Sequence, residues 1–336
     1  MELGRVELIA ECGTTANGDE DTALELVKAA KAAGMDAVKF MVIDPDNNMA
    51  DRTQEYEYEL PNGTKRKENM YDMFKKLHLS KETHRKVRNW CWDNDLGWFL
   101  TVDTIQGLDL AEELDCPRYK LSSWDCRNYP LIEALCHTRK PIQIDLGPHV
   151  LGEIVTMLDF MERRIDHNYI TLMHNSHAKD NKLNLGAIRF LRRKFVYDVG
   201  WSSDTAELFC DLVALGAGAS IIEKRLTLDF NYDGHHHRQA LEPNEMTSWV
   251  NDIRGIEEAI GEEGVVPSLQ DIVMKDLYFT SIVASKDIRT GDLIHPDDLC
   301  AKRPGRGVSP LYMDNFIGGT ATRPIKKDEY IRTTDA

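Results

Sequence analysis

Between residues 221 and 243 the chain reads IIEKRLTLDFNYDGHHHRQALEP: an apolar run ends in Lys224 and Arg225, and three consecutive histidines, His235, His236 and His237, follow. Neutral imidazoles ligate divalent metals or exchange protons near neutral pH, so one or two of these histidines suit either role. A contiguous run does not converge easily on one ion, because neighbouring side chains diverge. Asp145, His174, Glu223 and Asp233 are further donors that could complete a coordination sphere. The bland alternative is a surface loop with a chance histidine run.

Lys39, Lys120 and Lys224 each end or interrupt an apolar run, an unusual place for a side chain almost never buried unpaired. Either each pairs structurally with an acid such as Glu11, Glu223 or Asp145, or the ammonium groups hold an anionic ligand, a phosphate or carboxylate. Three together in an acidic protein favour the ligand.

These residues must be positioned by regular elements. Short apolar runs at 6–10, 37–41, 98–101, 119–122, 141–145, 169–174, 195–200 and 220–224 alternate with amphipathic segments, the pattern of parallel strands joined through helices. Asp204 before TAELF and Asn184 before LGAIRF read as helix caps. Eight such units predict an α/β fold, a (β/α)8 TIM barrel, rather than an open doubly wound sheet; neither a GxGxxG nor a P-loop is present. Active sites of such barrels lie at the carboxyl ends of the strands. That places Glu11, Lys39, Asp103, Lys120 with Ser122 and Ser123, Asp145, His174, Trp201 with Ser202, and Lys224 with Arg225 at one mouth.

The expected domains are a catalytic barrel over 1–265, a linker over 266–277 and a small β-rich domain over 278–336, where turn pairs such as Thr290-Gly291 and Pro304-Gly305 recur. The long polar stretch 44–76 reads as an insertion, either a lid, an oligomer contact or a mobile surface loop. A formal net charge of −15 argues against nucleic acid and anionic membranes as partners. No apolar run reaches the ~18 residues that span a bilayer. Seven scattered cysteines without a CxxC pair suggest reduced thiols and a soluble, cytoplasmic protein.

The segments IAECGTTANGD (9–19), AGMDAVKF (33–40), YKLSSWDCRNYPLIEAL (119–135), KPIQIDLG (140–147), VGWSSDT (199–205), LGAGASIIEKRLTLD (215–229), ALEPNE (240–245) and KRPGRGVSP (302–310) resemble the N-acetylneuraminate (sialic acid) synthase family over nearly the whole chain. That family joins a barrel to a C-terminal antifreeze-like, or SAF (β-clip), domain. The resemblance implies a transferase that condenses phosphoenolpyruvate with an open-chain N-acyl amino sugar to give a nonulosonic acid and phosphate. It implies that Lys39, Lys120 and Ser123 hold phosphoenolpyruvate and that Glu11 positions sugar or proton. The catalytic set is then Glu11, Arg225, His237 and Asp145, with His174, Ser202 and Lys224 on substrate. His237, with His235, would ligate a divalent metal, Mn or Mg. A homodimer would let the SAF domain cover the partner barrel, with Arg303 touching sugar in trans.

The departures from the family concentrate at the chemistry. Its EKH reads Glu223-Lys224-Arg225 here, so a metal histidine is replaced by a cation with no lone pair. A phosphate-binding STG becomes Asp145-Leu146-Gly147, and a carboxylate there would repel phosphate by roughly 1–4 kcal/mol. The loop 174–180 looks shortened, with Ala178 near the family's ligand-binding asparagine. Either the site has been rebuilt around Arg225 or the substrate has changed. The alternative reaction is that of a lyase, an aldolase or another barrel enzyme on a different small anion; a barrel degenerated into a binding partner is the third reading.

Overall fold

The computed structural model describes residues 5–178, 182–261 and 264–336, which divide into one unit up to Gly261 and a second from 262 onward. In the first unit, β1 (Glu7–Glu11), β2 (Ala37–Met41), β5 (Gly97–Thr101), β6 (Tyr119–Leu121), β7 (Ile142–Asp145), β8 (Ile170–Asn175), β9 (Asp198–Ser203) and β10 (Ile221–Arg225) form a closed parallel barrel. Two further strands, β3 (Glu55–Glu59) and β4 (Lys65–Asn69), pair as a separate antiparallel hairpin. The expected (β/α)8 barrel is therefore present. Its strands end later than apolarity alone suggests, because polar Glu11, Ser202, Ser203 and Arg225 are paired within the ladder.

Helices cover the barrel with faces written in the sequence. The helix Glu20–Ala33 buries Ala23, Leu26, Val27, Ala30 and Ala33, a three-and-four spacing that makes one apolar stripe. Asp19 caps its first turn by accepting from the Thr22 amide, and Gly34, at φ 87°, closes it in the left-handed conformation.

Side chains along a strand alternate between the barrel interior and the helix layer, and this parity sorts the predicted site residues. Glu223 and Arg225 face inward, so Lys224 between them faces out. There its Nζ lies 2.6 Å from Asp211 Oδ2 and donates to the Thr205 carbonyl. Asp211 also accepts the indole N–H groups of Trp201 and Trp249, each at 2.9 Å. His174 faces out as well: its ring lies against Trp201, and Nε2 is bonded to the Leu183 carbonyl at 2.9 Å.

The 44–76 stretch is a structured insertion. The β3–β4 hairpin is flanked by short helices at Pro45–Asn48 and Met70–Leu77, and Ile43, Met73 and Leu77 form a small core beneath it. Its charges complement across the ladder, with Lys65 on Glu57 and Lys67 on Glu55.

The second unit carries the antiparallel pair β11 (Ser281–Ala284) and β12 (Leu299–Lys302) around a core that includes Ile282, Ile294, Phe316 and Ile325. A helix at Leu269–Tyr278 precedes it and buries no residue. No helix of the described residues is long and apolar enough to cross a membrane.

Removing one partner of a buried ion pair strands the other charge. Asp211→Ala is expected to lower unfolding stability in urea by about 3–5 kcal/mol. A loss below about 1 kcal/mol, the size of an exposed pair, would show that Lys224 is not a buried, counter-charged group.

Candidate active site

The inward-facing polar residues at the carboxyl ends of the strands meet in one network. Lys39 is ion-paired with Glu11, donates to Thr101 Oγ1 at 2.9 Å and lies 3.6 Å from Glu223 Oε1. Lys120 reaches Glu223 Oε2 at 2.7 Å, Asp145 Oδ2 at 3.0 Å and Ser202 Oγ at 3.0 Å. Arg225, opposite Glu11 in the strand register, donates from Nη2 to Asp204 Oδ1 at 2.8 Å. Read around the mouth, Asp204, Arg225, Glu11, Lys39, Glu223, Lys120 and Asp145 alternate in sign.

Four carboxylates face three cations in this chain of charges, and the proton balance follows from that. Burial pushes the Asp145 carboxyl up to about 6, although Lys120 pulls against it. Burial opposes ionisation of Glu223 too, but Lys120 and Lys39 outweigh it and hold that group low. For Lys120, burial disfavours the ammonium, yet Asp145 and Glu223 more than offset this and raise its pKa. Asp204 is buried as well, and Arg225 with His177 holds its carboxyl well below the usual range. Of Asp145, Glu223 and Asp204, Asp145 is thus the carboxyl that most readily takes a proton.

The lysines therefore have structural partners: Glu11 for Lys39, and Asp145 with Glu223 for Lys120. At the mouth, among the described residues, Asp145 Oδ1, Gln143 Oε1, Arg225 Nε and, apart from its ion pair with Lys39, Glu11 Oε2 remain buried without a hydrogen-bond partner. Native interiors rarely leave such atoms unused. They mark the space where a polar ligand would be recognised. Ser123, buried beside it, sits under Gly147, whose φ is 40° and where a Cβ would fall 2.5 Å from the Ser123 Cβ. Gly147 also donates its amide to Asn175 Oδ1 at 2.5 Å.

The loops after β1 and β10 are stitched together. Thr14 Oγ1 bonds His236 Nδ1 at 3.0 Å, Thr15 donates to the Leu226 carbonyl at 2.6 Å, and Asn17 Oδ1 lies 3.0 Å from His237 Nε2. The other His237 nitrogen bonds the Thr227 hydroxyl at 2.7 Å. His235 is set edge-on to Tyr56 and Tyr58 of the hairpin, with ring centroids at 5.4 and 5.1 Å. The same hairpin pairs Arg66 with Asp233 and Glu59 with Arg238, so it clamps the histidine loop from outside. Burial drives His235 to about 3 and His237 to about 4, and His236 falls well below its ordinary value; the Arg225 charge adds to burial at His235 and His236.

Of the residues singled out in the sequence, Glu11, Lys39, Lys120, Asp145, Ser202, Glu223 and Arg225 converge on the mouth. Ser123 and His237 border it, whereas Lys224 and His174 lie in the helix layer. Arg303 belongs to the second unit, exposed, with Nε donating to the Tyr278 carbonyl at 2.8 Å. Asp204, read as a helix cap, instead accepts from Arg225 and lies 3.0 Å from His177 Nδ1, while the helix begins at Leu208. A buried arginine ending one strand requires an acid on a neighbouring strand end, and Asp204 follows β9 directly. Thr101 and Gln143 were missed because both sit inside apolar runs. Residues 179 and 180, the end of the loop that looks shortened, lie outside the described residues.

Residues 26–264 match the model of the NeuB family, and residues 279–336 match that of the SAF domain. The chain belongs to the NeuB family. Similar relatives are the N,N'-diacetyllegionaminic acid synthases of Campylobacter jejuni, 31% identical over 97% of this chain and 98% of that protein, and of Legionella pneumophila, 31% identical over 93% and 89%. The solved N-acetylneuraminic acid synthetase of Leptospira borgpetersenii shares the fold, with a TM-score of 0.71 at 22% identity over 81% of this chain and 90% of that one. These relatives are synthases, and the chain is an enzyme of this NeuB type.

The divalent metal that the family implies does not fit the donors present. Arg225 offers no lone pair, and both nitrogens of His237 are engaged. His235 lies edge-on to Tyr56 and Tyr58, and its buried Nδ1, without a hydrogen-bond partner, is joined by no second and third donor among the described residues. Among the described residues no three His, Cys, Asp or Glu side chains converge as a metal cluster.

The packing of His235 is open to titration by NMR. Its ring is expected to stay neutral from about pH 8 to about pH 5, and replacing Tyr56 and Tyr58 by alanine should return its titration toward an ordinary ~6.5. A wild-type His235 that protonates near pH 6 would contradict the clamp.

Proposed function

We propose that the chain condenses phosphoenolpyruvate with an open-chain N-acyl amino sugar, giving a nonulosonic acid and phosphate. The observation that carries this reading is the pair of buried ammonium groups, Lys39 and Lys120, side by side at the mouth of a NeuB barrel and bridged by Glu223. They suit the carboxylate and phosphate of such a substrate. Ser202 lies beside Lys120 as a neutral hydrogen-bonding group, and Ser123 lies against Gly147, two residues after Asp145.

In the overall step, C3 of phosphoenolpyruvate forms the new bond to the sugar aldehyde carbon, the aldehyde oxygen gains a proton, and water adds at C2 as phosphate leaves. Glu11, beside Lys39 and Arg225, is the carboxylate placed to hold the sugar or a proton. Asp145 is the group at which the phosphate is balanced: ionised it repels the incoming anion, protonated it donates a hydrogen bond. Schiff-base chemistry at Lys120 is disfavoured, because two carboxylates hold its amine as ammonium while a nucleophile must be unprotonated.

The same reading takes the protein to be a homodimer. The helix Leu269–Tyr278 exposes Leu269, Val273 and Leu277, which suits burial against a second copy, and Arg303 would then act in trans. Sedimentation at micromolar concentration is expected to give twice the chain mass; a monomer would remove this part.

Phosphate release from phosphoenolpyruvate is expected with at least one N-acyl hexosamine, and its absence across a panel of such sugars, with and without divalent metal, would overturn the condensation. Asp145 gives the reaction a pH signature. Its carboxyl is charged above about pH 6 and neutral below, so Asp145→Asn is expected to lower KM for phosphoenolpyruvate about tenfold at about pH 8 and little at about pH 5. Comparing the two proteins at each pH cancels the substrate's own titration. An equal ratio at both pH values would assign Asp145 no electrostatic part in phosphate binding.

A further inference from the structure

We propose, resting on the condensation reading, that the Arg225 guanidinium is the electrophile of this site: it polarises the sugar aldehyde oxygen, and the reaction needs no divalent metal. Arg225 ends β10 facing inward, beside Glu223 and opposite Glu11 in the register of β1. Only 15% of its side chain is exposed.

The guanidinium is held from one side. Asp204 takes Nη2 at 2.8 Å, His177 Nδ1 lies 3.0 Å from the other Asp204 oxygen, and the His177 ring stacks on Trp124 at 5.0 Å and 15°. This support fixes the plane of the guanidinium and leaves Nε–H, a buried donor, without a partner among the described residues. A preoriented, permanently charged N–H donor inside a barrel mouth is what stabilises oxygen charge as it develops in a transition state.

The same residue explains why the surrounding histidines do not make a metal centre. His236 Nδ1 is taken by Thr14 Oγ1, and His235 lies edge-on to Tyr56 and Tyr58. A divalent ion brought beside them would meet that fixed cation, and His237 has no free nitrogen to offer. Cation and metal exclude one another here, and the chain carries the cation.

During condensation the donors hold the aldehyde oxygen while the C–C bond forms at the aldehyde carbon. That oxygen stays on its carbon as the product's hydroxyl, its proton balanced by the one released from the water that adds at C2 as phosphate departs, and no oxidant or reductant is consumed. Arg225 keeps its own proton throughout. A purely structural Arg225, serving only as counter-charge to Asp204, is the competing role.

The full-length protein, purified without an affinity tag, separates these possibilities. Titration with Mn2+ followed by electron paramagnetic resonance is expected to show no stoichiometric binding, and phosphate release is expected to survive a chelator unchanged. One tightly bound Mn2+ per chain, or loss of turnover on chelation, overturns the proposal. Arg225→Ala is expected to lower kcat about 100-fold or more with little change in KM for phosphoenolpyruvate, and added guanidinium at non-denaturing concentration should restore part of it. An Arg225→Ala protein that folds and keeps its kcat assigns the residue a structural role. Should Arg225→Ala fail to fold, Arg225→Lys supplies the same comparison, and the Mn2+ and chelator results on wild type still decide. If wild type releases no phosphate under any condition, the condensation reading fails and takes the electrophile role with it, while the Mn2+ titration still judges whether a metal site exists.

Discussion

A charge inside a closed barrel is stable only where opposite charge and hydrogen bonds replace the water it has lost. Lys120 meets that condition through Asp145, Glu223 and Ser202, and the rest of the mouth depends on this contact. Glu223 is shared with Lys39, Lys39 with Glu11, and Arg225 beside Glu11 turns to Asp204. No member can be exchanged without moving the charge of its neighbours. Asp145 and Arg225 therefore belong to one network, an acid and a base whose charges offset each other across the mouth.

The barrel was legible because its strands are short apolar runs at even spacing, with helices between them that carry a three-and-four apolar stripe. What blurred the ends was polarity: Glu11, Ser202 and Arg225 are polar residues inside the ladder, so apolarity stops short of them. The β3–β4 hairpin escaped notice for a different reason. Its strands read EYEYE and KRKEN, and only Tyr56 and Tyr58 reveal a period of two; its stability comes from cross-strand charge pairs and from packing on a loop some 170 residues away, as the Arg66–Asp233 contact shows.

Most of the mouth was legible as well, since strand parity and the carboxyl-end rule locate it. Parity also held the correction for Lys224: if Glu223 and Arg225 share one face, the residue between them does not. His174 follows the same rule beside inward Met173 and Asn175. The neutrality of the histidine run was not readable, because it arises from burial and from Arg225 rather than from any local pattern. Nor was Asp204, where a cap and an ion-pair partner look identical in sequence.

The seam between β1 and β10 has one more consequence, which concerns how the protein is made. Glu223 and Arg225, partners to Lys39 and Glu11, lie on the last barrel strand to be synthesised, and Thr14 and Asn17 wait for His236 and His237 more than 200 positions later. Such distant pairing makes assembly slow and leaves intermediates exposed. While the ribosome is still behind residue 221, the earlier strands carry two interior lysines short of their shared carboxylate. The nascent barrel thus stays open at one edge until β10 itself closes it, and a chain interrupted before that point is marked as unfinished by the charges it exposes.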